Sequence, residues 1–172
     1  MRRTFASFLF TGVCLATAHL HGELSETFVP TNPLTFQTEV GTAGTKKDAI
    51  PVRLVGIVTP ERTSMRVELN GREISLGAAL SLADLLDTAI ERAKQRQEFS
   101  AEIDGLDVKV KEDDERFEVR IKLPGDGLFK RGLRIDSEDA FLLARLLRRS
   151  SGMATWLQPR MEPLLNEEPA TS

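Results

Sequence analysis

Strict alternation around tight-turn residues constrains this chain more than any other feature. Met65, Val67 and Leu69 alternate with Arg66 and Glu68, Asn70-Gly71 follows, and Ile74 and Leu76 then alternate with Glu73 and Ser75. Side chains on a strand point to opposite faces in turn, so this is the pattern of two half-buried strands. Asn-Gly suits the connection because both turn positions need positive φ. A two-residue loop sets Val67 opposite Ile74 and Met65 opposite Leu76, on one face.

A second hairpin is predicted further on. Leu106, Val108 and Val110 alternate with Asp107, Lys109 and Lys111, and Phe117, Val119, Ile121 and Leu123 alternate with Glu118, Arg120 and Lys122. With Glu112-Asp113-Asp114-Glu115 as the loop, Val110 faces Phe117 and Val108 faces Val119. Lys109 then meets Glu118 and Asp107 meets Arg120 on the other face, so both faces agree. The acidic loop lacks the ligand spacing and central glycine of a calcium-binding EF-hand and reads as a solvated tip. Residues 51–58 are β-rich, and residues 128–135 read as a further strand after the turn Pro124-Gly125-Asp126-Gly127.

Two helices follow from spacings of three and four. Leu82, Leu85, Leu86, Ala89, Ile90 and Ala93 form one apolar stripe, with Ser81 as the expected cap and Asp84 three residues on. The second helix is expected from a cap at Asp136 through Arg149, with Arg145, Arg148 and Arg149 in water. Arginines in its last turn suit the negative end of the helix dipole. Ser151-Gly152 is expected to end or bend it, leaving one more short helix interrupted at Pro159 and Pro163. Aligning Ser81 with Asp136 places Asp84 on Asp139 and Ala89 on Ala144, which raises a duplicated strand-turn-strand-helix unit as a hypothesis. The expected fold is α+β: an antiparallel sheet with two main helices packed on one face, plus a short C-terminal helix.

The first residues read as an address. Met1-Arg2-Arg3-Thr4 is a basic head, residues 5–18 are apolar, and Ala16-Thr17-Ala18 is a small-x-small cleavage pattern. This is the layout of a signal peptide over residues 1–18, and it predicts a periplasmic or secreted protein. The fourteen-residue run is shorter than the roughly 20 residues a membrane-spanning helix needs, so no span is expected after cleavage. Residues 19–48, with Pro30, Pro33, Gly41 and Gly44, are expected as a flexible tether. Short strands around Phe28-Val29 or residues 34–36 can be drawn there, but no sustained period supports them. Residues 49–165 are then a single domain, and residues 166–172 a disordered tail.

Cleavage after Ala18 would remove two arginines and no acid, taking the formal charge of the 172-residue chain from −3 to −5. An acidic chain is a poor match for nucleic acid, even with the basic-rich stretch Lys130, Arg131, Arg134, Arg145, Arg148 and Arg149. Cys14 is the only cysteine and leaves with the leader, so no disulfide or thiolate chemistry is expected. Asn32, Asn70 and Asn166 all fail the glycosylation sequon. Both points favour a bacterial envelope protein.

The two histidines are His19 and His21, so the domain itself cannot assemble a Ser-His-Asp or Cys-His site. No enzyme activity and no resident cofactor are expected. The leading expectation is a non-enzymatic binding or assembly module whose partner is another envelope protein. Met153, Trp156, Leu157, Met161 and Leu164 either complete the core or present a Met- and Trp-containing docking surface. One alternative is Cu(II) or Ni(II) binding. A terminus His19-Leu20-His21 offers an amine, two amides and an imidazole in a plane. The other is a small hydrolase working through carboxylates.

Overall fold

The computed structural model describes residues 33–44, 49–59, 62–113, 116–125 and 132–161. They form two successive units of four strands and a helix: β1 (Leu34–Ala43), β2 (Ile50–Val58), β3 (Thr63–Leu69), β4 (Arg72–Ser75) and α1 (Leu76–Lys94), then β5 (Phe99–Ile103), β6 (Leu106–Asp113), β7 (Arg116–Lys122), β8 (Leu133–Ile135) and α2 (Ser137–Met161). Each set of four strands is an antiparallel meander, ordered β1-β2-β3-β4 and β5-β6-β7-β8. The α+β class and the packing of helices on sheets are as the sequence predicts. The single expected sheet is two, because α1 intervenes between the meanders.

The first hairpin pairs Val67 with Ile74, as expected, and Asn70 and Gly71 both take positive φ. The expected pairing of Met65 with Leu76 does not form. β4 ends at Ser75, opposite Arg66, and Leu76 is already helical. The cap of α1 is therefore Ser75 and not Ser81, with the Ser75 hydroxyl accepting from the Ala78 amide at 3.1 Å. Six further residues, including Gly77, join the helix. The second cap is where the sequence places it, with the Asp136 carboxylate accepting from the Asp139 amide at 2.8 Å.

The second hairpin is tighter than expected. Val110 pairs with Val119, Val108 with Ile121, Lys109 with Arg120 and Asp107 with Lys122, and the ladder runs on to Asp113 opposite Arg116. The register differs by two residues, and a shift of two returns every side chain to its original face. Apolar alternation therefore could not separate the registers, and at Lys109 charge pairing favours the wrong one, because the observed ladder sets it opposite Arg120. Of the two loop acids absorbed into β6, Asp113 accepts from Arg120 at 3.1 Å and from Arg134 at 3.4 Å. Two edge strands carried no sequence expectation as drawn. Residues 34–43, expected as part of a tether, are β1, which bulges between Glu39 and Gly41. Phe99–Ile103 is β5, joined to β6 by Asp104-Gly105, both at positive φ.

Along β2, Val52, Leu54 and Val58 point inward, and along β6, Leu106, Val108 and Val110 do the same. The helices cover these inner faces in a crossed fashion. α1 packs mainly against β6 and β7 of the second sheet, while α2 packs mainly against β1, β2 and β3 of the first. Gly41 in β1 shows how close this is, since a Cβ there would meet Leu146 Cδ2 of α2 at 2.7 Å. One continuous apolar core results, drawing on both sheets and both helices.

α2 does not stop at Ser151-Gly152. It runs to Met161, so the expected separate C-terminal helix is its last turns. Ser150 is fully buried and donates its hydroxyl to the Leu146 carbonyl at 2.9 Å, which lets a polar residue sit on the core side. Leu157 and Met161 pack against the core and hold the final turns down, where Pro159 falls within the last three residues.

The two caps give a direct test of the start of α1. Ser75→Ala should lower stability by about 1 kcal/mol, because an orphan helix donor loses its acceptor. Ser81→Ala should change it by less than about 0.5 kcal/mol. Urea unfolding of both variants checks the pair; the reverse order would restore Ser81 as the cap.

Candidate functional site on the outer face of the helix layer

Superposing the caps, Ser75 on Asp136, aligns the helices residue by residue. Ala79, Leu82, Ala83, Leu85, Leu86 and Ala93 fall on Ala140, Leu143, Ala144, Leu146, Leu147 and Ala154. Identical residues thus build the inward faces of the two helices. The alignment suggested by Ser81 is displaced by six positions.

Charged positions behave in the opposite way. Asp84 falls on Arg145 and Asp87 on Arg148. In the sheets, the pairs Val67 with Ile74 and Val119 with Ile135 set the equivalence. Arg66 then falls on Glu118, Glu68 on Arg120 and Glu73 on Arg134. The ion pair Arg66–Glu73, at 3.5 Å, has its mirror in Glu118–Arg134, at 3.9 Å. At these positions the halves share apolar residues and invert charge, whereas Arg53 falls on Lys109 and keeps its sign.

The inversion has its sharpest consequence where the helices meet. Arg148 donates to Asp84 at 2.8 Å and to Asp87 at 2.6 Å. Asp87 and Arg148 are equivalent positions, so at this contact each half meets its own counterpart in the other. A strictly repeated sequence would place like charges there. Hydrogen bonding to Asp87 and then to Asp84 raises the Arg148 pKa above its ordinary value.

The outer face of α2 carries a second arrangement. Phe141, Arg145, Arg149, Gly152, Trp156 and Arg160 recur at spacings of three and four, so they form one stripe about 28 Å long. Phe141 is 53% exposed and Trp156 58%. The Arg145 guanidinium lies 5.8 Å from the Phe141 ring centre, and that of Arg160 lies 3.9 Å from the Trp156 ring centre. Among the described residues, no carboxylate forms an ion pair with Arg145, Arg149 or Arg160. Gly152 sits in the middle, and a Cβ there would meet nothing within 4 Å. A glycine inside a helix costs roughly 0.8–1.0 kcal/mol against alanine, and no neighbour among the described residues requires it. On α1 the corresponding positions hold Leu80, Asp84, Thr88 and Glu91.

The residues singled out from the sequence are divided by this geometry. Met153, Leu157 and Met161 are half-buried and pack against the core, whereas Trp156 faces outward. Leu164, His19 and His21 lie outside the described residues. Phe141 and Leu142, at 53% and 39% exposure, carry no expectation of exposure from composition, which sets them among apolar neighbours. Their phase gives them away, since Phe141 lies fifteen residues before Trp156, about four turns along the same side. Among the described residues, no cluster of three or more His, Cys, Asp or Glu side chains converges as a metal site would. No helix among them is long and apolar enough to cross a membrane. No family model matches the chain, and no curated protein and no solved structure matches it significantly.

The axial contact can be probed by reversal. Arg148→Asp brings three carboxylates together and should lower stability by about 1 kcal/mol, a modest figure because the groups are well exposed. The double change Asp87→Arg with Arg148→Asp should recover most of the loss. At about 1 M salt, where the screening length is near 3 Å, the single variant should approach the parent. Thermal melts at two salt concentrations read all three effects.

Proposed function

We propose that this chain is an exported, non-enzymatic binding or assembly module of the bacterial cell envelope, working through protein contacts made by the outer face of its helix layer. The observation that carries this reading is the placement of large apolar side chains. Leu80, Phe141, Leu142 and Trp156 stand exposed on the two helices, while the facing stripe of each helix is buried against the sheets. Exposed aromatic groups accompanied by arginine are the residue types that dominate binding energy at protein interfaces. Stability alone does not call for them, because neither Phe141 nor Trp156 belongs to the core. The leader at residues 1–18 supports the compartment.

The test is the pair Phe141→Ser and Trp156→Ser in the full chain. Both residues are more than half exposed, so the melting temperature should move by no more than a few degrees. Chemical cross-linking in intact cells should give the parent protein a defined envelope partner, and the double variant should lose it. Unchanged cross-linking in the folded variant would remove the helix layer as the contact surface. An unfolded variant would place these residues in the core and contradict the reading just as clearly.

A further inference from the structure

We infer that the α2 stripe docks an acidic amphipathic helix of a partner protein, its carboxylates meeting Arg145, Arg149 and Arg160 and its backbone passing close over Gly152. The inference rests on the protein-contact reading and names the chemistry of the partner. Three arginines on one helix face, without ion pairs among the described residues, are an uncompensated positive line on an otherwise acidic protein. Two of them lie over aromatic rings. Arg160 Nη1 donates to the Trp156 carbonyl at 2.5 Å. Stacking uses the flat face of a guanidinium and leaves the remaining in-plane N–H groups of Arg145 and Arg160 to meet a carboxylate. Phe141 and Trp156 at the ends of the stripe supply the apolar contact, and the bare backbone at Gly152 between them lets a second helix approach.

The surroundings favour a single helix over an extended anion. Beside the stripe, α1 presents Asp84 and Asp87, both engaged by Arg148, while Glu91 pairs with Lys94 on its own helix. A membrane surface or a nucleic-acid strand spreads its charge over a wider area and would meet those acids. A helix lying between Phe141 and Arg160 meets the arginine line and the two aromatic rings, with Glu138 one turn beyond Phe141. The stripe runs from Phe141 to Arg160, about five turns, which matches an ordinary helix in length.

The probe is a fluorescein-labelled helical peptide of about 20 residues with leucine at i, i+4 and i+7 and glutamate elsewhere. Versions with glutamine or lysine replacing glutamate, phosphatidylglycerol vesicles and a single-stranded oligonucleotide serve as the other arms. The full chain should bind the glutamate peptide at least about tenfold more tightly than the glutamine peptide, and the lysine peptide not at all. Arg145→Gln with Arg149→Gln should weaken the glutamate peptide by about tenfold and leave the glutamine peptide unchanged. Gly152→Gln should raise the melting temperature, since it replaces a helix-interior glycine, yet weaken the glutamate peptide. That opposition of sign is not expected of a merely structural residue. Equal binding of the glutamate and glutamine peptides, or vesicles or oligonucleotide bound in place of the peptide, would overturn the inference. A cross-linked partner that depends on Phe141 and Trp156 but is not displaced by the glutamate peptide would leave the protein-contact reading intact and reject the acidic helix alone.

Discussion

The exchange of helices between the two halves is the constraint on which the rest of the structure depends. A four-stranded meander with one apolar face must be covered, and each unit carries one helix that could do so. Here α1 lies mainly on β6 and β7, and α2 mainly on β1, β2 and β3. Neither half therefore closes its own core. Fully buried side chains such as Leu54, Leu86, Leu106 and Leu147 belong to one apolar cluster that runs through both units.

Charge inversion explains how two units with matching apolar positions pair with each other. At the helix contact, Asp87 meets its own counterpart, Arg148. Two like charges in that position would repel, whereas opposite charges fix the first unit against the second. The same inversion runs through the sheets at Arg66 and Glu118 and at Glu73 and Arg134. It also leaves acids on the outer face of α1 and arginines on that of α2, where Arg145, Arg149 and Arg160 form no ion pair among the described residues. The asymmetry that assembles the fold thus also creates the candidate binding stripe.

Much of this was legible in the sequence, and the limits are physical. The Asn70-Gly71 hairpin, the Asp136 cap and both helices follow from turn chemistry and spacing. The second hairpin differs by two residues from its expected register, because a shift of two preserves the apolar face while the opposite-charge pairs Lys109–Glu118 and Asp107–Arg120 favour the expected ladder. β1 was hidden because Gly41 and a bulge interrupt its alternation, and the pairing with β2 that fixes it is a contact between separate segments. The start of α1 was set six residues late because Ser75 both ends a strand and caps a helix. The aromatic stripe was obscured by composition: Phe141 and Leu142 sit among core leucines, and only the phase of the settled helix separates them. That α1 serves the second sheet has no local signature at all.

Native-state hydrogen exchange, read peptide by peptide in a Leu143→Ala variant, tests the shared core most directly. Leu143 is fully buried in α2, and a leucine-to-alanine change in a core costs about 2–5 kcal/mol. If the core is one unit, amides in β6 and β7 lose protection by the same free energy as those in β2 and β3. Loss confined to the first sheet and α2, with β6 and β7 unchanged, would contradict the account.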